Sequence, residues 1–397
     1  MAIFGTLGYI AIAVVILFFM IAVHEFGHYI VGKLLGFKIT EFALGMGKIL
    51  YKRTNKKTGE IFTVRAIPLG GFCSFYGDDG LESKTVGQDS KKKKKKYESG
   101  NTDSTKKDSE TAAADSSRKE IGFNDQPEWK RLLVLFAGGF FNFISAVLFS
   151  IVLLLIVGYN QFVAFQGIEQ TDNAAYLQEG DIIQAISVNG GRFQEFTLLD
   201  GFSSVLSKVS PDDTITFQIQ HTNGTVEPVS GFKLVRIDSE GRLGIGITGV
   251  YTIKKPIGFF EILEKSVVFC FQVAWMILVF LWGLITGKIS LSGVGGPIAT
   301  VSVMTQSLSS SLLNIFLLVP LISVNLGLFN LLPFPALDGA RMVFVGLEWV
   351  RGKPVNPQLE GRIHMIGIIV LFGLVFLADF NYLMNGLVFL RNCCLRL

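Results

Sequence analysis

Residues 3–36 read IFGTLGYIAIAVVILFFMIAVHEFGHYIVGKLLG, and this stretch decides the fold of the chain. Its first part, residues 3–23, carries no charged side chain and as a helix is just long enough to cross about 30 Å of hydrocarbon. The helical pattern continues to about Gly36. A cleaved signal peptide would have a basic start and a small-residue cleavage site, which this stretch lacks. We therefore predict a retained first transmembrane helix over residues 1–36.

The composition of the whole chain is that of a membrane protein. Half of the 397 residues are hydrophobic, 17% are charged and the mean hydropathy is +0.47, whereas soluble proteins carry about a quarter charged residues. Further apolar runs predict about four transmembrane helices in all, while the segment 265–286 fits either a span or a helix on the membrane surface. The predicted segments are 121–158 for the second helix, 256–310 for a membrane-associated segment, 311–345 for the third helix and 360–390 for the fourth.

Two regions between the apolar runs have the patterns of β-structure. Residues 37–82 hold two short β-prone runs around the turn sequence NKKTG, which predicts a membrane-associated β-hairpin. Residues 159–255 alternate apolar and polar side chains and contain turn signals. We therefore predict one soluble, β-rich domain between the second helix and the later apolar runs.

The charged residues predict the orientation and one linker. Residues 83–120 combine the run KKKKKK with many Ser, Thr, Asp and Ala, a composition typical of a disordered linker. This run lacks interleaved aromatic residues, so contact with anionic lipid is favoured over contact with nucleic acid. The loop 33–131 is basic whereas residues 160–250 are more acidic. Basic loops stay in the cytoplasm, so we expect the β-rich domain outside, and with four spans both termini outside as well.

The sequence His24-Glu25-Phe26-Gly27-His28 carries the chemistry. Two histidines at i and i+4 lie on one face of a helix and can bind one Zn²⁺, and the glutamate beside them can act as a general base towards water. This five-residue pattern also arises by chance. Its position directly after an uncharged membrane segment favours function, because ionisable side chains are expensive there.

Asp338 is the candidate for the third zinc ligand. It ends the sequence NLLPFPALDG, residues 330–339, where Pro333 and Pro335 break an apolar helix. An aspartate at this place could also cap a helix, but the incomplete zinc site favours the ligand role. Asn330, next to the break, could hold a substrate carbonyl or stabilise an oxyanion.

These motifs together resemble the site-2 protease family of intramembrane zinc metalloproteases, in particular its bacterial branch of sigma-factor regulators with a PDZ domain. The resemblance includes HEFGH, the LDG motif and three further stretches. They are RAIPLGGF at 65–72, like a re-entrant β-hairpin, FNDQPEWKRLLVLFAGGFFNF at 123–143, like the entry to the second span, and LITGKISLSGVGGPIA at 284–299, like the segment before the late helix.

The resemblance implies zinc binding by His24, His28 and Asp338, with Glu25 activating water. It also implies a PDZ-like domain outside the bacterial inner membrane, an active site near the cytoplasmic face, and a segment around 265–290 that is membrane-associated rather than a regular span. The expected substrates are single-span membrane proteins already trimmed by another protease, such as anti-sigma factors, or signal-peptide remnants.

Three further expectations accompany this reading. The hairpin would pair with an unwound substrate as an added strand, with Gly70 and Gly71 permitting close backbone approach. The second-span motif reads Ala137-Gly138-Gly139 where the family usually has A-G-P, a change expected to loosen the start of that helix. His221 and His364 are expected to be structural or exposed rather than metal ligands.

Two other functions are compatible with parts of the pattern. In a non-catalytic membrane adaptor the PDZ-like domain would bind peptides and the metal site would be vestigial, but all four expected site residues are present. A metal transporter would also place polar groups in apolar helices, but it would show internal repeats of the bundle. We find no such repeats in the sequence.

Overall fold

The computed structural model describes residues 2–78, 121–169, 171–236, 243–255, 257–289 and 295–394. The linker predicted at 83–120 lies outside the described residues. The chain divides into two units. The first comprises Met1–Phe149 and Cys270–Leu397, and the second comprises Ser150–Phe269.

Among the residues that the structure describes, five helices are long and apolar enough to cross a membrane. Four of them coincide with the apolar runs that were predicted as spans: α1 (Ala2–Leu34), α2 (Glu128–Val157), α6 (Ile315–Leu331) and α8 (Pro357–Cys394). The fifth, α4 (Phe259–Ile285), is one continuous helix of 27 residues that includes residues 265–285 of the segment 265–286. The α-helices are α1 Ala2–Leu34, α2 Glu128–Val157, α3 Phe202–Leu206, α4 Phe259–Ile285, α5 Pro297–Ser310, α6 Ile315–Leu331, α7 Asp338–Arg351 and α8 Pro357–Cys394.

The stretch 311–345, predicted as one helix, is divided in the structure. A 3-10 turn at Leu312–Asn314 leads into α6, which ends at Leu331, and α7 begins only at Asp338. Pro333 and Pro335 explain the interruption, because proline has no N–H to donate and excludes the preceding residue from the helical conformation. The LDG motif therefore opens a new helix instead of lying within the membrane span.

Helix α5 packs against the middle of α1. The buried cluster that joins them also includes α6, so three helices share one apolar core. The start of α5 is held by Asp379 of α8, whose carboxylate accepts hydrogen bonds from the N–H groups of Ile298 (3.3 Å) and Ala299 (3.2 Å). The buried members of the cluster are Ala13, Ile16, Met20, Met304, Leu308 and Val319.

Strands β1 (Ile39–Thr54) and β2 (Ile61–Phe75) form a two-stranded antiparallel sheet after α1. Their register is irregular, and residues 41–44 are partnered both by residues 61–64 and by residues 71–74. Each strand is thus bent. Among the described residues, the strand partner of the segment 71–75 is residues 39–44.

The second unit is rich in β-structure. Its main sheet has six strands in the order β12-β3-β6-β5-β7-β8, and every pairing within it is antiparallel. Alternate residues of β7 are buried, and Phe196, Phe217 and Phe232 are among the fully buried side chains of its core. The strands are β3 Asn160–Ala164, β4 Gly167–Ile168, β5 Ile182–Val188, β6 Gln194–Thr197, β7 Ile215–Gln220, β8 Val226–Phe232, β9 Val235–Arg236, β10 Leu243–Gly244, β11 Ile247–Thr248 and β12 Tyr251–Lys254.

Candidate metal centre

His24, His28 and Asp338 come together in the first unit. Nε2 of His24 and Nε2 of His28 lie 3.0 Å and 3.1 Å from the same carboxylate oxygen, Oδ2 of Asp338, and 3.3 Å from each other. The two imidazoles are buried and the carboxylate is 20% exposed. The chain therefore brings two residues of α1 and the first residue of α7 to one point, although more than 300 positions separate them.

The spacing of these three atoms fits a zinc ion. Zinc bonds to nitrogen and oxygen are about 2.0–2.1 Å long, so ligand atoms at the corners of a tetrahedron lie roughly 3.3–3.4 Å apart. The observed separations of 3.0–3.3 Å are close to that value. Two imidazoles and one carboxylate are also a typical set of catalytic zinc ligands, which leaves the fourth position for water or substrate. Among the described residues, His24, His28 and Asp338 form the one group of three or more histidine, cysteine or carboxylate side chains that could hold a metal ion.

Helix α2 fixes the tautomer of His28. Nδ1 of His28 lies 2.8 Å from the carbonyl oxygen of Val134. Because a carbonyl can only accept a hydrogen bond, Nδ1 is the donor of this contact, and Nε2 beside Asp338 is the ring nitrogen left for a metal. Such an outer hydrogen bond is the usual way in which a protein orients a metal-binding histidine. This contact could not be read from the sequence, since it depends on a backbone atom.

Glycines let α2 approach this centre closely. A Cβ atom on Gly138 would lie 2.3 Å from Nε2 of His28 and 2.7 Å from Cε1 of His24. On Gly139 it would lie 2.8 Å from Leu331 of α6. Residues 137–139 lie in the interior of α2, which begins at Glu128. The expected loosening of the helix start is therefore wrong, and these glycines instead permit close helix packing.

The turn before Asp338 is held by α8. Ala336 has a φ of +87°, a conformation that residues other than glycine rarely adopt, and its N–H donates to Nδ1 of His364 at 3.0 Å. A Cβ atom on Gly367 would lie 2.3 Å from Pro335, and one on Gly339 would lie 2.2 Å from the carbonyl oxygen of Leu332. His364 therefore supports the backbone of this turn, as expected of a structural residue.

Glu25 is half-buried beside the cluster and lies against the β-hairpin. A Cβ atom on Gly71 would be 3.0 Å from Cγ of Glu25 and 3.0 Å from the carbonyl oxygen of Ala43. Gly70 has a φ of +80°, which favours glycine, and packs against Met46. Gly71 thus lets the hairpin approach Glu25 closely, while the approach of a substrate strand at Gly70 and Gly71 stays a prediction.

The two remaining candidates, Asn330 and His221, lie on elements other than α1 and α7. Asn330 is half-buried in the last turn of α6, before the break that leads to Asp338. His221 belongs to the second unit, where Asp181 at 2.8 Å and Glu227 at 3.2 Å flank its ring. The hydrogen bond with Asp181 raises the pKa of His221 above its usual value. These contacts explain His221 as a structural residue.

Comparison with known proteins identifies the family. Residues 12–374 match the model of peptidase family M50. The zinc metalloprotease RasP of Oceanobacillus iheyensis is 30% identical to the chain, with 91% of this chain and 95% of the relative covered. The regulator of sigma-W protease RasP of Bacillus subtilis is 28% identical, with 93% of this chain and 97% of the relative covered. The zinc metalloprotease RasP of Bacillus licheniformis is 29% identical, with 90% of this chain and 94% of the relative covered.

These matches extend over nearly the whole chain and include α1, the hairpin, α2, the β-rich unit and the LDG motif. They agree with a buried cluster of two histidines and one aspartate among apolar helices long enough to span a membrane. The chain belongs to peptidase family M50, the site-2 proteases, and is an intramembrane zinc metalloendopeptidase.

Proposed function

We propose that His24, His28 and Asp338 bind the catalytic zinc and that Glu25 is the general base. The observation that carries this assignment is the convergence of three ligand atoms within 3.0–3.3 Å of one another. When bound, zinc polarises a scissile carbonyl and makes water acidic near neutral pH. Glu25, next to His24 on α1, takes the proton of the attacking water and passes it to the leaving amine.

The substrates, in this proposal, are transmembrane segments of single-span membrane proteins. Such segments are helical and must be unwound locally before cleavage, because their backbone groups are paired within the helix. The hairpin segment 71–75 would pair with an unwound segment as an added strand, and the approach of Gly71 to Glu25 places this segment beside the proposed base. Asn330, in the last turn of α6, would bind the carbonyl of the substrate or stabilise the oxyanion. Anti-sigma factors and signal-peptide remnants are the substrate classes we favour, and the name of one relative, regulator of sigma-W protease, is in keeping with the first.

The location that fits this function is the bacterial inner membrane. His24 and His28 lie in the half of α1 that leads into the basic loop 33–131, so the site would lie near the cytoplasmic face. The more acidic β-rich unit would then lie outside. Its antiparallel sheet and the short helix α3 support a PDZ-like fold. Helix α4, with 27 residues, is long and apolar enough for a crossing, and α5, which packs on the middle of α1, would carry the chain back.

The test is the substitution Glu25→Gln, assayed on a single-span reporter in proteoliposomes. We expect bound zinc to remain, since Glu25 is not among the ligands, and cleavage to fall about 10²–10⁴-fold. The same substitution at exposed Glu179 in the second unit is the control and should leave cleavage unchanged. Equal cleavage by wild type and Glu25→Gln would show that Glu25 is not the general base. Loss of zinc from Glu25→Gln would instead indicate that Glu25 is a ligand.

The β-rich unit, we further propose, excludes substrates that have not been trimmed. Removing residues 165–250 should then permit cleavage of an untrimmed reporter. The shortened protein must still cleave the trimmed reporter, which shows that the membrane part is intact. An unchanged requirement for trimming in an otherwise active protein would contradict the proposal.

A further inference from the structure

Asn142 of α2 is a polar side chain buried in the membrane part of the protein. It is 0% exposed and lies within a 30-residue apolar helix. Its backbone carbonyl accepts hydrogen bonds from Oγ of Ser145 (2.9 Å) and Oγ of Ser323 (2.8 Å), and the two hydroxyls lie 2.6 Å apart. A buried carboxamide is costly unless its polar atoms are paired, so its presence here needs a reason.

The side chain of Asn142 faces the candidate metal centre. Its Nδ2 lies 3.3 Å from Nδ1 of His24, the ring nitrogen opposite the one that points to Asp338. Its Oδ1 is buried and has no hydrogen-bond partner among the described residues. A half-turn of the carboxamide exchanges these two atoms and brings Oδ1 to Nδ1 of His24.

Zinc binding decides between the two orientations of the carboxamide. If Nε2 of His24 is a ligand, the neutral ring must carry its proton on Nδ1. If the amide nitrogen of Asn142 faced that N–H, two hydrogen-bond donors would face each other. Oδ1 in the same place would accept a hydrogen bond from it. His28 already has this arrangement, with Nδ1 donating to the carbonyl oxygen of Val134 on the same helix.

We propose that Asn142 is a positioning residue for zinc, whose Oδ1 accepts the Nδ1–H of His24 and fixes the tautomer and orientation of that ring. Helix α2 thereby serves both histidines, with a backbone carbonyl for His28 and a side-chain carbonyl for His24. The inference rests on the proposed ligand set. It adds a residue that does not touch the metal but sets how firmly the metal is held.

The test is the affinity of the purified full-length protein for zinc, measured by competition with a chromophoric chelator. Asn142→Leu keeps a similar volume but cannot accept a hydrogen bond. We expect its affinity to fall about 10–100-fold, as is typical when an outer partner of a metal-binding histidine is lost. Asn142→Asp keeps an acceptor at the same place and should bind zinc at least as tightly as wild type.

Ser145→Ala is the matched control. It removes a hydrogen bond from the same buried network, but Ser323 still donates to the carbonyl of Asn142. Its zinc affinity should stay close to that of wild type. If Asn142→Leu fails to fold, Asn142→Asp still decides, because a loss of zinc affinity in that variant overturns the proposal. Equal affinities of Asn142→Leu and wild type also overturn it.

His24→Ala separates this inference from the function on which it rests. If His24→Ala binds zinc as tightly as wild type, the proposed ligand set is wrong. If His24→Ala loses zinc while Asn142→Leu retains it, the ligand set stands and only the role of Asn142 is refuted.

Discussion

Gly138 shows how one residue without a side chain shapes the metal centre. It lies between Val134 and Asn142 on one face of α2, four residues from each, and faces both imidazoles. Any Cβ atom here would come within 2.3 Å of Nε2 of His28, far inside van der Waals contact. The backbone of α2 and the buried ring of His28 can each move only slightly, because protein interiors are close-packed.

Gly138→Ala should therefore reduce zinc binding. The added methyl group pushes His28 away from Asp338, and we expect the affinity for zinc to fall at least about tenfold, with a parallel loss of cleavage. Gly8→Ala is the matched control, since in the described part of the chain no atom lies within 4 Å of a Cβ at Gly8. Wild-type zinc affinity in Gly138→Ala would show that α2 can move away from the histidines.

At the scale of elements, α8 sets the geometry of the turn that carries Asp338. The backbone of Ala336 is in an unfavourable conformation with positive φ, and such a conformation persists only where its surroundings enforce it. His364 binds the N–H of Ala336, and the surface of α8 at Gly367 touches Pro335. The position of Asp338 thus depends on a helix that contributes no ligand.

Gly367→Val should displace this turn and misplace Asp338. Because the added side chain overlaps Pro335, we expect lower zinc affinity and lower cleavage in proteoliposomes, with α8 still inserted. Gly373→Val changes the same residue type on the same helix, where in the described structure nothing lies within 4 Å of the added Cβ. Equal zinc affinities of the two variants would argue against control of the turn by α8.

At the scale of the whole molecule, α7 is tied to distant parts of the chain by two ion pairs. Arg131 at the start of α2 lies 2.8 Å from Glu348, and both side chains are nearly buried. Arg341 contacts Asp78, which follows the hairpin, at 2.7 Å. The helix that begins with Asp338 is therefore held at two points, in its first turn and towards its end, by residues from the first third of the chain.

Removing only one partner of the buried ion pair between Arg131 and Glu348 should destabilise the protein. Arg131→Met leaves the carboxylate of Glu348 unpaired, and we expect a loss of about 3–5 kcal/mol, seen as a lower unfolding temperature in detergent. The double variant Arg131→Met/Glu348→Gln should recover most of this loss, since no buried charge remains. Lys33→Met breaks the more exposed pair with Glu60 and should cost at most about 1 kcal/mol. Equal stability of the single and double variants would refute this account.

The apolar runs predicted the positions of four helices, because length and hydropathy alone determine whether a helix can span. The sequence also pointed to the candidate site residues His24, Glu25, His28 and Asp338. Two ligands in one helix leave a zinc site incomplete, so a third had to be sought elsewhere in the chain. The end of α6 and the start of α7 were missed as separate helices, although Pro333 and Pro335 gave the signal. Val134 and Asn142 could not be predicted, because their role depends on which face of α2 packs against α1.

The separation of the ligands along the chain has a consequence for the timing of biosynthesis. His28 and Asp338 are 310 residues apart, and ribosomes add about 5–20 residues per second. Roughly 15–60 s therefore pass between the synthesis of the first histidines and that of the aspartate. During this interval the nascent chain holds only two of the three ligands proposed for zinc. If the proposed ligand set is right, the protease stays inert beside newly inserted membrane proteins until its own last helices are made.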